Sequence, residues 1–204
     1  WLANASQPPQ TAGYPIFIAE IASTTNEALL LDYLLHRPDA SPELRAYLLN
    51  HYCDGFRGTV YRQTMFAEFE KRVHELDAAG TPLTAEGLAE AYAGLNRRYH
   101  GPAVAPDPRI ALEWSRIPHF YYNFYVYKYA TSFCASQVFA RRLLADPAQR
   151  QPYLALLRAG GSADPLDLVR EAGVDLTRPE TMGQAFEAFA ATVTQLADLL
   201  GKAG

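Results

Sequence analysis

Residues 15–35 decide the fold: Pro15-Ile16-Phe17-Ile18-Ala19-Glu20-Ile21-Ala22-Ser23-Thr24, continuing through Asn26-Glu27 to Leu34-Leu35 before Pro38. Proline in the first turn suits a helix start, because its missing N–H is an unpaired donor there anyway. Glu20, Ser23, Thr24 and Glu27 fall at i, i+3, i+4 and i+7, which places them on one face. Ile16, Phe17, Ile18, Ile21, Leu29, Leu30 and Leu31 cover most of the remaining circumference. A helix with so narrow a polar stripe is expected to be largely buried.

The same periodicity extends outward in both directions. Residues 1–14, with Pro8-Pro9 and Gly13, read as an irregular leading segment. Ser41-Pro42-Glu43 pairs an N-cap with proline at the next position and opens helix to about Ala78, with a break near Gly55 or Gly58. Gly80-Thr81-Pro82 is a turn, and Thr84 caps a helix ending near Tyr99. Three prolines in the seven residues from Pro102 to Pro108 mark a loop. Pro118 to about Leu144 is expected to be one long helix, followed by short helices to Ala159 and from Pro165 to Glu171. A final helix runs from Pro179 to about Leu200. Alternating β-branched runs are nearly absent, so the expectation is a single all-α domain over residues 1–204, with seven or eight helices.

Composition narrows the function. Lys+Arg 18 against Asp+Glu 22 gives a net charge of −4, and basic residues cluster only in pairs such as Arg97-Arg98. That lacks the basic stripe of a nucleic-acid binder. No apolar run approaches the roughly 20 residues that span a bilayer. Two cysteines, Cys53 and Cys134, fit a reducing cytoplasm better than a disulfide framework. The opening Trp1-Leu2-Ala3-Asn4 has no signal-peptide character and no Met, so the sequence is expected to start within a longer polypeptide.

A di-iron bundle needs Glu-x-x-His, but Tyr33, Leu48, Lys71, Arg97 and Arg116 stand three residues before the five histidines. The zinc-peptidase motif H-E-x-x-H fails too: His74-Glu75 is the one His-Glu pair, and Ala78 occupies the second histidine position. On pattern alone the polar stripe of Glu20, Ser23, Thr24 and Glu27 reads first as a solvated face. A buried Glu20 would instead need a cation partner, an arginine or a metal, because an unpaired buried carboxylate costs several kcal/mol.

Five tyrosines occupy nine positions at 121, 122, 125, 127 and 129. On a continuous helix His119, Tyr122 and Tyr129 project to a common side, with Tyr125 at its edge. The rings could simply form an aromatic stripe. Their hydroxyls, with the imidazole N–H, can also donate to an oxyanion developing on a carbonyl substrate.

Several blocks together resemble the M3 family peptidase oligoendopeptidase F. They are Ile18-Ala19-Glu20-Ile21-Ala22-Ser23-Thr24 with Asn26-Glu27, and Phe56-Arg57-Gly58-Thr59 with Tyr61-Arg62-Gln63-Thr64-Met65-Phe66-Ala67-Glu68-Phe69-Glu70. Ile117-Pro118-His119 through Ala130-Thr131 and Gly160-Gly161-Ser162 with Pro165-Leu166-Asp167-Leu168 complete the likeness. The resemblance implies the C-terminal portion of a zincin-like M3 catalytic domain, cytoplasmic, acting on short peptides. It implies that Glu20 is a zinc ligand and that Glu27 orients a ligand histidine. His119, Tyr122 and Tyr129 would stabilise the tetrahedral intermediate, and Tyr125 would contact substrate. The H-E-x-x-H that supplies the other ligands and the base is not in this sequence. Zinc is therefore expected in the complete enzyme and not in this chain alone, which carries one wall of the active site and should be inactive by itself. Its expected partner is the missing N-terminal part of the peptidase, or a second copy through the exposed face, with no nucleic-acid or membrane partner. The alternative is a non-catalytic helical module that binds peptides.

Overall fold

The structure, a computed structural model, describes residues 1–201. Among them there is helix and no strand. The α-helices are α1 (Leu2–Ser6), α2 (Ile16–Leu35), α3 (Pro42–Phe56), α4 (Arg62–Ala78), α5 (Ala85–His100), α6 (Tyr127–Ala145), α7 (Arg150–Ala159), α8 (Pro165–Glu171) and α9 (Pro179–Gly201). A π-helical turn at Arg57–Tyr61 follows α3, and 3-10 helices cover Pro108–Arg116, Pro118–Tyr122 and Pro147–Gln149.

Local chemistry explains many boundaries. Asp107, Asp146 and Asp164 each precede a proline and accept the backbone N–H two residues on, at 2.9 Å in all three cases. Each side chain satisfies a donor that the helix cannot pair internally. Thr84 accepts from Gly87 N–H at 3.2 Å, as the cap reading requires.

The residues sort into two compact units. The first comprises Trp1–Phe56 with the described residues from Thr131 onward. Its core gathers Phe17, Ile18 and Ile21 of α2 with Ala135, Val138 and Phe139 of α6, together with Leu156, Val169 and Val174. The Ser132 hydroxyl donates to the Phe17 carbonyl at 3.0 Å, tying α6 to α2. Phe56, fully buried at the end of α3, stacks on Phe189 of α9 with ring centres 4.3 Å apart. The N-terminal residues dock on a glycine turn: Gly161 N–H donates to the Thr11 carbonyl at 2.8 Å. Gly160 beside it has φ +56°, and a Cβ there would lie 2.2 Å from the same oxygen.

The second unit is Arg57–Ala130. Met65, Phe66 and Phe69 of α4 meet Ala91, Tyr92 and Leu95 of α5 and Val126. Glu113 is buried beside this core. Its carboxylate accepts from the Tyr92 hydroxyl at 2.5 Å, from Arg116 at 3.0 Å and from Arg62. Burial alone would raise the Glu113 pKa, but these donors hold it below the ordinary glutamate value. Burial, and after it the bond to Glu113, push the Tyr92 hydroxyl well above its usual range.

Three expectations need correction. Residues 1–14 are not wholly irregular, since Leu2–Ser6 form α1 with Ala3 buried. Helix α2 is not largely buried: Phe17, Ile18, Ile21 and Thr25 form its buried stripe, while Leu30 and Tyr33 are exposed. The long helix from Pro118 to Leu144 is interrupted. A 3-10 helix ends at Tyr122, Asn123 and Phe124 take φ of +49° and +55°, and α6 starts at Tyr127. Packing supplies the reason. Phe120 and Val126 both pack into the second unit's core. On a continuous helix, residues six apart point about 120° away from each other. The break turns both toward the same core.

Candidate functional site

His119 leads the candidate cluster, on the 3-10 helix that Pro118 opens. The left-handed pair at Asn123 and Phe124 redirects the chain, so that residues before and after the break meet. The His119 ring centre lies 6.1 Å from that of Tyr122, 5.7 Å from Tyr125 and 6.2 Å from Tyr129. It stacks on Tyr125 and meets the other two edge to face. Tyr125 also packs against Tyr122 at 5.8 Å and Tyr129 at 5.6 Å. The Tyr129 hydroxyl donates to the Tyr125 hydroxyl at 3.3 Å. These spacings suit favourable tilted aromatic pairs.

The structure therefore brings His119, Tyr122, Tyr125 and Tyr129 together, by a different geometry from the continuous helix face. Tyr125 is at the centre of the group, not at its edge. Tyr122 is 62% exposed, whereas His119, Tyr125 and Tyr129 are half-buried. The Lys128 ammonium sits 5.0 Å from the Tyr125 ring centre, a cation over an aromatic face. The result is a cluster of phenol hydroxyls and one imidazole, open to a ligand on the Tyr122 side and able to donate hydrogen bonds to a carbonyl oxygen.

Two residues of α4 bear on this cluster and were not assigned a role from the sequence. Glu70 is buried, 4% exposed, and its carboxylate accepts the Phe124 N–H at 2.6 Å. The His74 ring packs on Phe124 with centres 4.5 Å apart. The available signal was an acid on an otherwise apolar face, one turn after Phe66 and one before His74.

Glu20 and Glu27 lie on α2 in the first unit. Glu20 is half-buried and Glu27 is exposed. Ser23 and Thr24, which share their stripe, direct their hydroxyls to the Glu20 main-chain carbonyl at 3.2 and 2.6 Å. They are thus local backbone caps and not partners for the Glu20 carboxylate. Glu27 borders a cavity of about 310 Å³ with Leu30, Leu31, Tyr47 and His51. A catalytic zinc needs three protein ligands and an open position. Among the described residues no group of three His, Cys, Asp or Glu side chains gathers in that way. No described helix is long and apolar enough to cross a membrane.

The family model described as Peptidase family M3 matches residues 1–188. Oligopeptidase PepF of Bacillus subtilis is 48% identical over 198 residues, covering 96% of this chain and 29% of that protein. The plasmid-encoded oligoendopeptidase F of Lactococcus lactis subsp. cremoris is also 48% identical, covering 97% of this chain and 33% of that protein. The chain thus spans about a third of the length of the curated relatives it matches. The crystal structure of oligoendopeptidase-F from Enterococcus faecium superposes with a TM-score of 0.87 at 49% identity, covering 93% of this chain and 36% of that one. A putative peptidase from Chlamydophila abortus gives 0.89 at 39% identity, covering 98% of this chain and 33% of that one. With matches of this extent in sequence and in fold, the chain belongs to Peptidase family M3.

Proposed function

We propose that this chain is part of a zinc-dependent oligoendopeptidase F-type enzyme that hydrolyses short peptides. Glu20 serves as one metal ligand, Glu27 orients a histidine ligand, and the remaining ligands with the general base come from an H-E-x-x-H segment outside this sequence. The metal would supply Lewis-acid and water-activating chemistry. The chain's own residues hold the peptide and stabilise charge. Tyr129 and His119 donate to the scissile carbonyl oxygen as negative charge builds on it, Tyr122 contributes a third donor, and Tyr125 contacts the peptide. Such donors act most strongly in the transition state, where the oxygen carries more charge than in bound substrate.

The convergence of His119 with three tyrosines on either side of the Asn123–Phe124 break is the observation that supports this reading. Four separate side chains with donors in one open cluster exceed what packing of a surface turn requires. The test is cleavage of internally quenched short peptides by this chain, alone and combined with a polypeptide bearing H-E-x-x-H. The expected result is cleavage in the combined sample, abolished by a zinc chelator, and none by the chain alone. Peptide binding without cleavage in the combined sample would support the non-catalytic module instead.

A further inference from the structure

Phe124 occupies left-handed backbone at φ +55°, a region that bulky residues seldom adopt. Such a conformation persists where surrounding structure holds it. Two contacts from α4 do so here: the Glu70 carboxylate accepts the Phe124 N–H at 2.6 Å, and the His74 ring covers the Phe124 ring at 4.5 Å. Glu70 is 4% exposed and stands beside Phe66 and Phe69, where an apolar side chain would pack without the cost of desolvating a charge. What the carboxylate adds at that position is an acceptor for one backbone N–H, in a short charge-assisted bond.

We infer that Glu70 is the positioning residue of the His119–tyrosine cluster. By holding Phe124 in its left-handed conformation, it keeps His119 and Tyr122 against Tyr125 and Tyr129. The inference rests on the proposed donor role of that cluster for its effect on catalysis, but not for its effect on geometry. The break separates the two halves: His119 and Tyr122 precede it, and Tyr125 and Tyr129 follow it. When the acceptor is lost, Phe124 relaxes to negative φ and the two halves turn away from each other. His74 acts in the same sense through the ring of Phe124, with a smaller effect because stacking alone does not fix a backbone dihedral.

The experiment compares Glu70→Leu with Glu70→Gln, whose amide oxygen still accepts the Phe124 N–H. In the complete peptidase carrying this sequence, Glu70→Leu should lower kcat by about 10- to 100-fold with KM within about threefold, the effect of misplacing groups that act in the transition state. Glu70→Gln should restore kcat to within about threefold of the parent. Independently of activity, the His119 ring protons in the 204-residue chain should carry ring-current shifts from the neighbouring tyrosines. These should vanish in Glu70→Leu and persist in Glu70→Gln. Retained ring-current shifts in a folded Glu70→Leu chain overturn the inference. Lost shifts with unchanged kcat uphold the positioning role and overturn the donor role of the cluster instead. Where Glu70→Leu does not fold, the parent chain decides: the Phe124 amide proton should resonate far downfield and exchange slowly. A fast-exchanging amide at an ordinary shift overturns the inference.

Discussion

The Tyr129 hydroxyl donates to the Tyr125 hydroxyl across 3.3 Å, four residues apart on either side of the start of α6. A phenol has one proton, so the Tyr129 hydroxyl turns from Tyr125 when it donates to a substrate oxygen, while Tyr125, the acceptor here, keeps its own proton for another partner. The two tyrosines thus form a pair in which each bears on the other's hydrogen bonding.

Tyr129→Phe removes this hydroxyl and keeps the ring. In the complete peptidase it should lower kcat on the order of 100- to 1000-fold, as for loss of an oxyanion donor, with little change in KM. Tyr125→Phe should lower it less. Steady-state kinetics on both single variants and the double variant should give a loss smaller than the sum of the two free-energy changes, because the pair acts as a unit. A fully additive double variant would mean that the hydroxyls work independently.

Glu113 and Tyr92 make a stability prediction. Tyr92→Phe leaves a buried carboxylate oxygen short of a donor and should reduce the stability of the chain by about 1–3 kcal/mol in urea titration. The carboxylate pKa is depressed in the folded state, burial notwithstanding, by Tyr92, Arg62 and Arg116. Its contribution is therefore complete above the ordinary glutamate value near 4.5 and fades as pH falls through the lower folded value. Glu113→Gln should flatten that acid-side loss. An unchanged stability profile between pH 6 and pH 3, on the order of the range named, would contradict it.

Gly160 and Gly183 form a matched pair of glycine tests. Gly160→Ala places a Cβ against the Thr11 carbonyl on left-handed backbone and should cost on the order of 3 kcal/mol. Gly183, inside α9, has nothing within 4 Å of an added Cβ. Gly183→Ala should be neutral or stabilise by up to about 1 kcal/mol through helix propensity. Thermal melts should show a clear loss for Gly160→Ala and none for Gly183→Ala.

The two thiols should differ in reactivity. Burial pushes Cys134 up to about 12, and the half-buried Cys53 is raised as well, by burial and then by Asp54. A disulfide reagent near neutral pH should modify Cys53 slowly and Cys134 only on unfolding, since the thiolate is the reacting form. Mass spectrometry of the native chain after labelling should find one adduct, at Cys53.

Isolated from an H-E-x-x-H segment, the chain should bind zinc no better than a generic acidic surface. Glu20 is the one residue of this chain proposed as a ligand, and its neighbours Ser23 and Thr24 are engaged with the backbone. Calorimetry that found stoichiometric, submicromolar zinc binding would overturn this expectation.

The sequence by itself determined the helical class and most helix ends. Proline after Asp146 and Asp164, Thr84 three residues before Gly87, and the glycine turn at Gly160-Gly161 act through near neighbours, and near neighbours are what a sequence displays. It also pointed to His119, Tyr122, Tyr125 and Tyr129, because that density of phenols is visible without coordinates. Tertiary structure alone decided how they meet. The Phe124 N–H pairs with Glu70, 54 positions earlier in the chain, and Phe120 and Val126 enter one core together. Helical periodicity carries no term for either contact, so a continuous helix was the natural reading from Pro118 to Leu144. The exposure of Leu30 and Tyr33 on α2 has the same origin. A helix displays which residues are apolar, but the neighbours packed against it decide which of them leave water.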